Sequence, residues 1–321
     1  MFFISLILFL SMKKQCIIMF SGGLDSRLAV KIMQEQGFEV VPVFFRLPFG
    51  CGCCNEMGCS FNFSQVRGIK LEVFDCNKGD LFKDYMKILK KGSHGRGAGV
   101  NPCRDCKIFM FERVKKFADK KKINLIVTGD VLGERPMSQM KSSLMLIEER
   151  SGLKGRILRP LSAKLLPETE AEKKGLVDRD KLYDIQGRRR EKQIALAKKF
   201  KIKYPHPAGG CLLCERLLIK RFEFLFKRGL KEKEIPLVNI GRHFKIDNCW
   251  VVLGRNEKEN EVIETVGKNT GELIIPSFIG PSALIMDKYD NKLKEKVNDL
   301  IKSYSKQGSL KERRKFEKYK L

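Results

Sequence analysis

The amino-acid sequence predicts an α/β protein: a doubly wound parallel sheet followed by a second, smaller α+β domain. Three observations predict it. Short apolar runs alternate with helical patterns through the first two-thirds of the chain. A glycine-rich turn, Ser21-Gly22-Gly23-Leu24-Asp25-Ser26, joins the first apolar run to the first helix. From about Pro236 the pattern changes to short apolar runs divided by turns, and a basic helical tail closes the chain.

Taken in order, residues 16–20 (CIIMF) read as a buried strand, and residues 27–36 as a helix with Gly37 as its C-terminal cap. A strand, a glycine turn and a helix start make an anion cradle. Without Cβ atoms the backbone turns sharply and approaches a phosphate closely, and the free N–H groups of the helix start point at it. The GxxxxGK[ST] spacing is absent, so no lysine is placed for a terminal phosphate. Residues 38–45 (FEVVPVFF), 70–75 (KLEVFD) and 124–128 (NLIVT) are the next strands, with helical patterns at 81–89 and 107–120. A parallel sheet binds ligands at the carboxyl ends of its strands. Ser21, residues 46–59 and Thr128-Gly129-Asp130 lie at three such ends and are expected to converge.

Composition says more about partners than about fold. With 64 Lys+Arg against 38 Asp+Glu, the formal net charge of +26 favours a polyanion such as RNA. Three histidines leave little material for a His-based zinc or triad mechanism. Residues 1–10 are very apolar, but too short to span a bilayer and without the basic flank of a signal peptide. Residues 1–11 therefore read as a start-site extension ahead of Met12, with a membrane tether as the alternative, and the chain as cytoplasmic with no membrane partner expected. The expected domains are 12–231, a small unit at 232–290, and a helical tail at 291–321.

The eleven cysteines are grouped, which points to metal or redox chemistry rather than to a disulfide scaffold. Cys51, Cys53, Cys54 and Cys59 either hold zinc or are spare thiols in a cramped loop. In Asn101-Pro102-Cys103-Arg104-Asp105-Cys106, Asn101 suits a helix N-cap and Pro102 the first helical position. Cys103 and Cys106 then share one side of the first turn, where the dipole is expected to lower their pKa. Gly209 and Gly210 precede Cys211, and Cys214 completes a second CxxC. The glycine-rich basic loop 90–100 reads as a mobile cover for phosphate or as a solvated linker. Residues 187–203 read as a basic helical segment, either solvated or facing RNA.

Five segments carry a family resemblance: Ser21 to Ser26, Asn101 to Cys106, Thr128 to Gln139, Arg159 to Thr169 and Gly209 to Leu213. In this order they resemble the PP-loop ATP pyrophosphatases that thiolate tRNA, namely the 4-thiouridine synthases and, more distantly, the tRNA 2-thiouridylases. Residues 241–244 (GRHF) and 253–260 (LGRNEKEN) resemble the small RNA-binding domain of NFACT proteins.

The resemblance implies an adenine nucleotide alpha hydrolase-like fold and an ATP-dependent tRNA sulfurtransferase that splits ATP to AMP and pyrophosphate. Ser21, Gly22, Gly23, Asp25, Ser26, Gly129 and Asp130 are the implied ATP-binding residues, with Mg²⁺ placed by Asp25 and Ser26. Asp25, Cys106 and Cys211 are the implied catalytic residues. Two mechanisms fit the thiols: Cys106 and Cys211 alternate as persulfide carrier and resolving thiol, or Cys103, Cys106 and Cys211 hold a [4Fe–4S] cluster, the reading the grouping favours. The expected partners are tRNA and a sulfur donor. Cys214 has no role in the resemblance. A PP-loop enzyme acting on a small molecule, such as a 7-cyano-7-deazaguanine synthase, and a non-catalytic RNA-binding adaptor are the alternatives.

Overall fold

The computed structural model describes residues 14–50, 70–204 and 210–321. The expected extension at 1–11 and the Cys51, Cys53, Cys54 and Cys59 group lie outside the described residues. Among those described, no helix is long and apolar enough to cross a membrane. The chain divides into two units between Cys214 and Glu215.

In the first unit, β1 (Gln15–Met19), β2 (Glu39–Arg46), β3 (Glu72–Asp75), β4 (Ile126–Thr128) and β5 (Ile157–Leu158) form one sheet in the order β3-β2-β1-β4-β5. Every pairing is parallel, with Met19 opposite both Val43 and Thr128. The expected doubly wound sheet is present. Strand order reverses on either side of β1, so the crevice between the carboxyl ends of β1 and β4 is the switch point where such sheets take ligands. The two-residue period of a strand explains the near-continuous apolar runs: Cys16, Ile18 and Phe20 pack into one core, while Ile17 turns to the opposite face and is equally buried.

Helices cover the sheet where apolar residues recur at helical spacing. Helix α1 (Leu24–Glu35) buries Leu24, Leu28 and Ile32, and α2 (Gly79–Lys91) buries Phe82, Tyr85, Met86 and Leu89. Helix α3 (Cys103–Lys121) buries Ile108, Phe111, Val114 and Ala118. Then come α4 (Lys141–Arg150), α5 (Glu170–Lys173) and α6 (Glu191–Lys199). Helix α1 starts earlier than the expected 27–36, because Gly23 is its N-cap; Asp25 and Ser26 sit inside its first turn. Residues 187–190 are not helical as expected. Gly187 is held at φ 83° with its N–H on the Leu132 carbonyl at 2.7 Å, and helix α6 begins only after this turn.

The second unit is built on an antiparallel sheet of order β6-β7-β9-β8, from β6 (Arg242–Ile246), β7 (Cys249–Leu253), β8 (Glu272–Ile274) and β9 (Ala283–Ile285). Asp247 and Asn248, both at positive φ, make the tight β6–β7 turn, as a two-residue hairpin requires. Helices α7 (Ile219–Arg228), α8 (Glu257–Gly267), α9 (Asn291–Tyr304) and α10 (Leu310–Arg314) complete it. The boundary precedes the expected 231/232 because Arg228 of α7 is bound to Asp287 at 2.7 Å and to Glu234 at 3.0 Å. The residues from 291 onward are not a separate tail: Leu293, Val297, Leu300 and Ile301 lie in the core of this unit.

Candidate nucleotide and thiol site

The glycine turn after β1 has the shape an anion cradle needs. Gly22 sits at φ 79°, a region open to glycine. Ser26 Oγ donates to the Gly23 carbonyl at 2.9 Å and lies 3.4 Å from Ser21 Oγ, so both hydroxyls belong to the turn. The turn is held from within by Arg27, a buried cation whose Nε donates to the Gly22 carbonyl at 2.7 Å and whose Nη1 donates to the Lys203 carbonyl at 2.8 Å. Gly129, at the end of β4, lies against this turn so closely that a Cβ there would fall 2.6 Å from the Asp25 carbonyl carbon and from the Ser26 nitrogen. The expected convergence of Ser21 to Ser26 with Gly129 is therefore observed.

Asp25 is the carboxylate at the mouth of this cradle. Its Oδ1 is buried without a partner, and its Oδ2 lies 3.8 Å from Arg190 Nη2. Burial raises its pKa, against the opposing pull of Arg190 and Arg135. A buried carboxylate oxygen with nothing to accept from is costly in itself. It marks a place for a cation or a phosphate-bound donor, and Arg190 Nε, also buried without a partner, adds an unused donor beside it. The residues present thus fit ATP with Mg²⁺. Asp130 is differently employed. Burial would raise its pKa, but the charges of Lys107 and Arg159 and the Gln139 amide outweigh that and hold it at about 2. Lys107 Nζ lies 2.9 Å from Asp130 Oδ1, and Gln139 Nε2 donates to the same oxygen at 2.9 Å. Asp130 is an ionised anchor that ties the loop after β4 to α3.

The thiols stand at the start of α3. Asn101 is not its N-cap; Pro102 occupies that position. The Asn101 side chain instead accepts from Gly99 N at 3.2 Å, and its amide nitrogen lies 3.0 Å from Cys103 Sγ. Tyr85 Oη lies 3.5 Å from Cys106 Sγ. The expected lowering of the thiol pKa values by the helix start does not prevail. Burial pushes Cys106 up to about 11 and also raises Cys103, while contact with Cys214, followed by burial, raises Cys211. Cys103 and Cys211 both meet Cys214, and Cys106 lies within electrostatic reach of both Cys103 and Cys211. Among the described residues, no three His, Cys, Asp or Glu side chains converge as the ligands of a single ion would. An iron–sulfur cluster takes its thiolates at separate irons, and an all-sulfur donor set suits it.

Residues 11–165 match the family described as thiamine biosynthesis protein (ThiI), and residues 241–317 match the NFACT protein RNA binding domain. Over residues 11–165 the chain is thus similar to the ThiI family. The chain is 31% identical over 123 residues to the bifunctional protein NifU/MnmA of Rubrobacter xylanophilus, covering 36% of this chain and 25% of that one. It is 28% identical over 127 residues to the tRNA-specific 2-thiouridylase MnmA of Clostridium acetobutylicum, covering 37% of this chain and 36% of that one. The chain thus spans only a quarter to about a third of the length of these relatives. Among solved structures, it is similar to the U34-tRNA thiolase NcsA of Methanococcus maripaludis with its [4Fe–4S] cluster, at 14% identity and TM-score 0.36, with 70% of each chain covered.

Several residues of the first unit were not legible in the sequence. Arg27 was hidden because its role is to fill backbone acceptors rather than to meet a ligand. Arg190 lay in a run of arginines whose pattern suggested a helix face; the Gly187 turn aims it at Asp25 instead. Arg104 binds the Met137 carbonyl at 3.2 Å and Ser143 Oγ at 3.0 Å, tying the thiol helix to the loop after β4. The loop 90–100 is pinned rather than loose: Arg96 donates to the carbonyls of Val100, Leu89 and Lys90, and His94 Nδ1 lies 2.8 Å from Asp105 Oδ1. Arg135 lies within electrostatic reach of both Asp25 and Cys103.

Proposed function

We propose that this chain is an ATP-dependent tRNA sulfurtransferase that adenylates a uridine carbonyl and replaces its oxygen with sulfur. One observation supports the reading: Gly129 abuts the Asp25–Ser26 turn, and its neighbour Asp130 is bound at 2.9 Å by Lys107 of the helix that Cys103 and Cys106 open, so the nucleotide turn and the thiols lie on connected elements. A small-molecule enzyme of this fold has no need of a net charge of +26 or of a second unit matching an RNA-binding domain.

A uracil carbonyl oxygen is a poor leaving group until it carries AMP. The turn from Ser21 to Ser26 would hold the pyrophosphate end of ATP through its N–H groups, and Asp25 would hold Mg²⁺, which would supply positive charge to the phosphates. The uridine oxygen attacks the α-phosphorus, and pyrophosphate departs with the bonding electrons. A sulfur nucleophile then adds to the activated ring carbon, and AMP leaves with the former carbonyl oxygen. Arg190 and Arg135, whose charges act on Asp25, would offset the negative charge that builds on the leaving pyrophosphate and then on the leaving AMP. Cys103, Cys106 and Cys211 would hold a [4Fe–4S] cluster, which when bound supplies a sulfur-binding iron. The chain's own contribution is to orient the groups and exclude water around the thiols.

Unmodified tRNA, ATP, Mg²⁺ and sulfide incubated with the anaerobically prepared protein should yield AMP, pyrophosphate and a thionucleoside detectable by mass spectrometry. AMP release without any thionucleoside, or with a small-molecule acceptor only, would overturn the reading.

A further inference from the structure

Cys214 is one of the described thiols that the reading above leaves unused, and the backbone places it with Cys103, Cys106 and Cys211. Cys211 and Cys214 bracket the single 3₁₀ turn Leu212–Cys214, closed by Cys214 N donating to the Cys211 carbonyl at 2.9 Å. Side chains three apart in such a turn eclipse one another. Cys103 and Cys106 stand in the same i, i+3 relation on the first turn of α3, where Cys106 N donates to the Pro102 carbonyl at 2.9 Å.

The two turns are fastened together. Val100 N donates to the Leu213 carbonyl at 2.8 Å, and Leu212 N to the Phe49 carbonyl at 3.0 Å. Gly99 approaches so closely that a Cβ would strike the Leu213 carbonyl oxygen and lie 3.1 Å from Cys214 Cα. Across the gap Cys214 meets Cys103 as well as its neighbour Cys211, and Cys106 lies within electrostatic reach of Cys103 and Cys211. The four thiols thus stand as one group with Cys214 at its centre of contact. Three of them are partly covered, and Cys214 is exposed.

We infer that Cys214 is a fourth protein ligand of the iron–sulfur site, closing the cluster at rest and forming its solvent-facing corner. The inference rests on the reading that Cys103, Cys106 and Cys211 hold a cluster. A [4Fe–4S] cluster usually takes four cysteines, and a corner left without a protein ligand is the one from which iron is lost on oxidation.

The test compares full-length wild type with Cys214→Ala and Cys214→Ser after anaerobic reconstitution with ferrous iron and sulfide. Each is treated with one equivalent of ferricyanide, then read for iron content and by EPR. The wild type should keep all its iron and show no three-iron signal, whereas Cys214→Ala should lose about a quarter of its iron and give a strong three-iron signal. Cys214→Ser, with an oxygen ligand, should hold its iron but with a changed spectrum in the reduced state. A wild type that converts as readily as Cys214→Ala would remove Cys214 from the ligand set and leave the three-cysteine cluster standing. A wild type that takes up no iron, or that isolates with a Cys211–Cys214 disulfide instead, would overturn both readings.

Discussion

At the residue scale, the glycine after β4 is as informative as the glycines of the turn it touches. Gly129 has no room for a Cβ against the Asp25 and Ser26 backbone. Gly129→Ala should therefore push the cradle open and weaken ATP binding about tenfold or more, the equivalent of ~1–3 kcal/mol of overpacking strain. Calorimetric titration with ATP checks this, and unchanged affinity would place the nucleotide elsewhere. Asp25→Ala should abolish pyrophosphate release while leaving the melting temperature within a few degrees, since the residue lacks a close partner on Oδ1. Lys107→Met is the reverse case. It leaves the buried Asp130 carboxylate with a weaker set of partners and should cost roughly 3 kcal/mol of stability in a denaturant titration. Asp25 and Gly129 were legible because turn chemistry after a strand has a short-range signature. Lys107 was not, because a lysine on a helix pattern looks the same whether it meets water or a buried carboxylate on a different strand.

At the scale of the element, the β6–β7 hairpin carries a pH dependence of its own. Trp250 Nε1 donates to His243 Nδ1 at 3.0 Å, so His243 Nε2 bears the ring proton and donates to the Ile240 carbonyl at 2.7 Å. Burial, helped by the nearby Arg221 and Arg255 charges, holds the pKa of His243 well below 6.5. The unfolded chain binds a proton near pH 6.5 that the folded unit refuses. The contribution is thus complete above that pH and is lost as pH falls from it towards the folded pKa, by up to ~1.4 kcal/mol per pH unit. Thermal melts of the full chain between pH 7 and pH 5 should show the second unit weakening first. His243→Asn should flatten that slope; an unaltered slope would assign it to other groups. The hairpin itself was legible as two apolar runs about a turn. Only the start of the helix at 187–203 was misread, because arginine-rich composition says nothing about φ, and Gly187 decides the path there.

At the scale of the whole molecule, the parallel sheet and its switch point were legible because strand and helix periods alternate over many residues, and errors at single ends do not disturb the order. The unit boundary was less so, since α7 reads as one more amphipathic helix and only its partners show where it belongs. A chain ending at Cys214 should remain soluble. A chain ending at Lys231 should aggregate, because Phe222, Leu225 and Phe226 would lose their cover and Arg228 its link to Glu234 and Asp287. Size-exclusion chromatography of the two truncations decides this, and equal behaviour would place the boundary later. With the full chain, tRNA binding should weaken steeply as salt is raised, because lysines and arginines displace counterions from the phosphates; salt-insensitive binding would deny the net charge its role.

Trp250 is the only tryptophan in the chain, and it is fully buried beside His243. The molecule therefore carries an intrinsic tryptophan label in its second unit and none in its first. Selectively excited tryptophan emission will follow the opening of residues 215–321, while far-ultraviolet dichroism follows both units together. Differences between the two traces reveal whether ATP added to the first unit steadies the second, with no dye or engineered probe required.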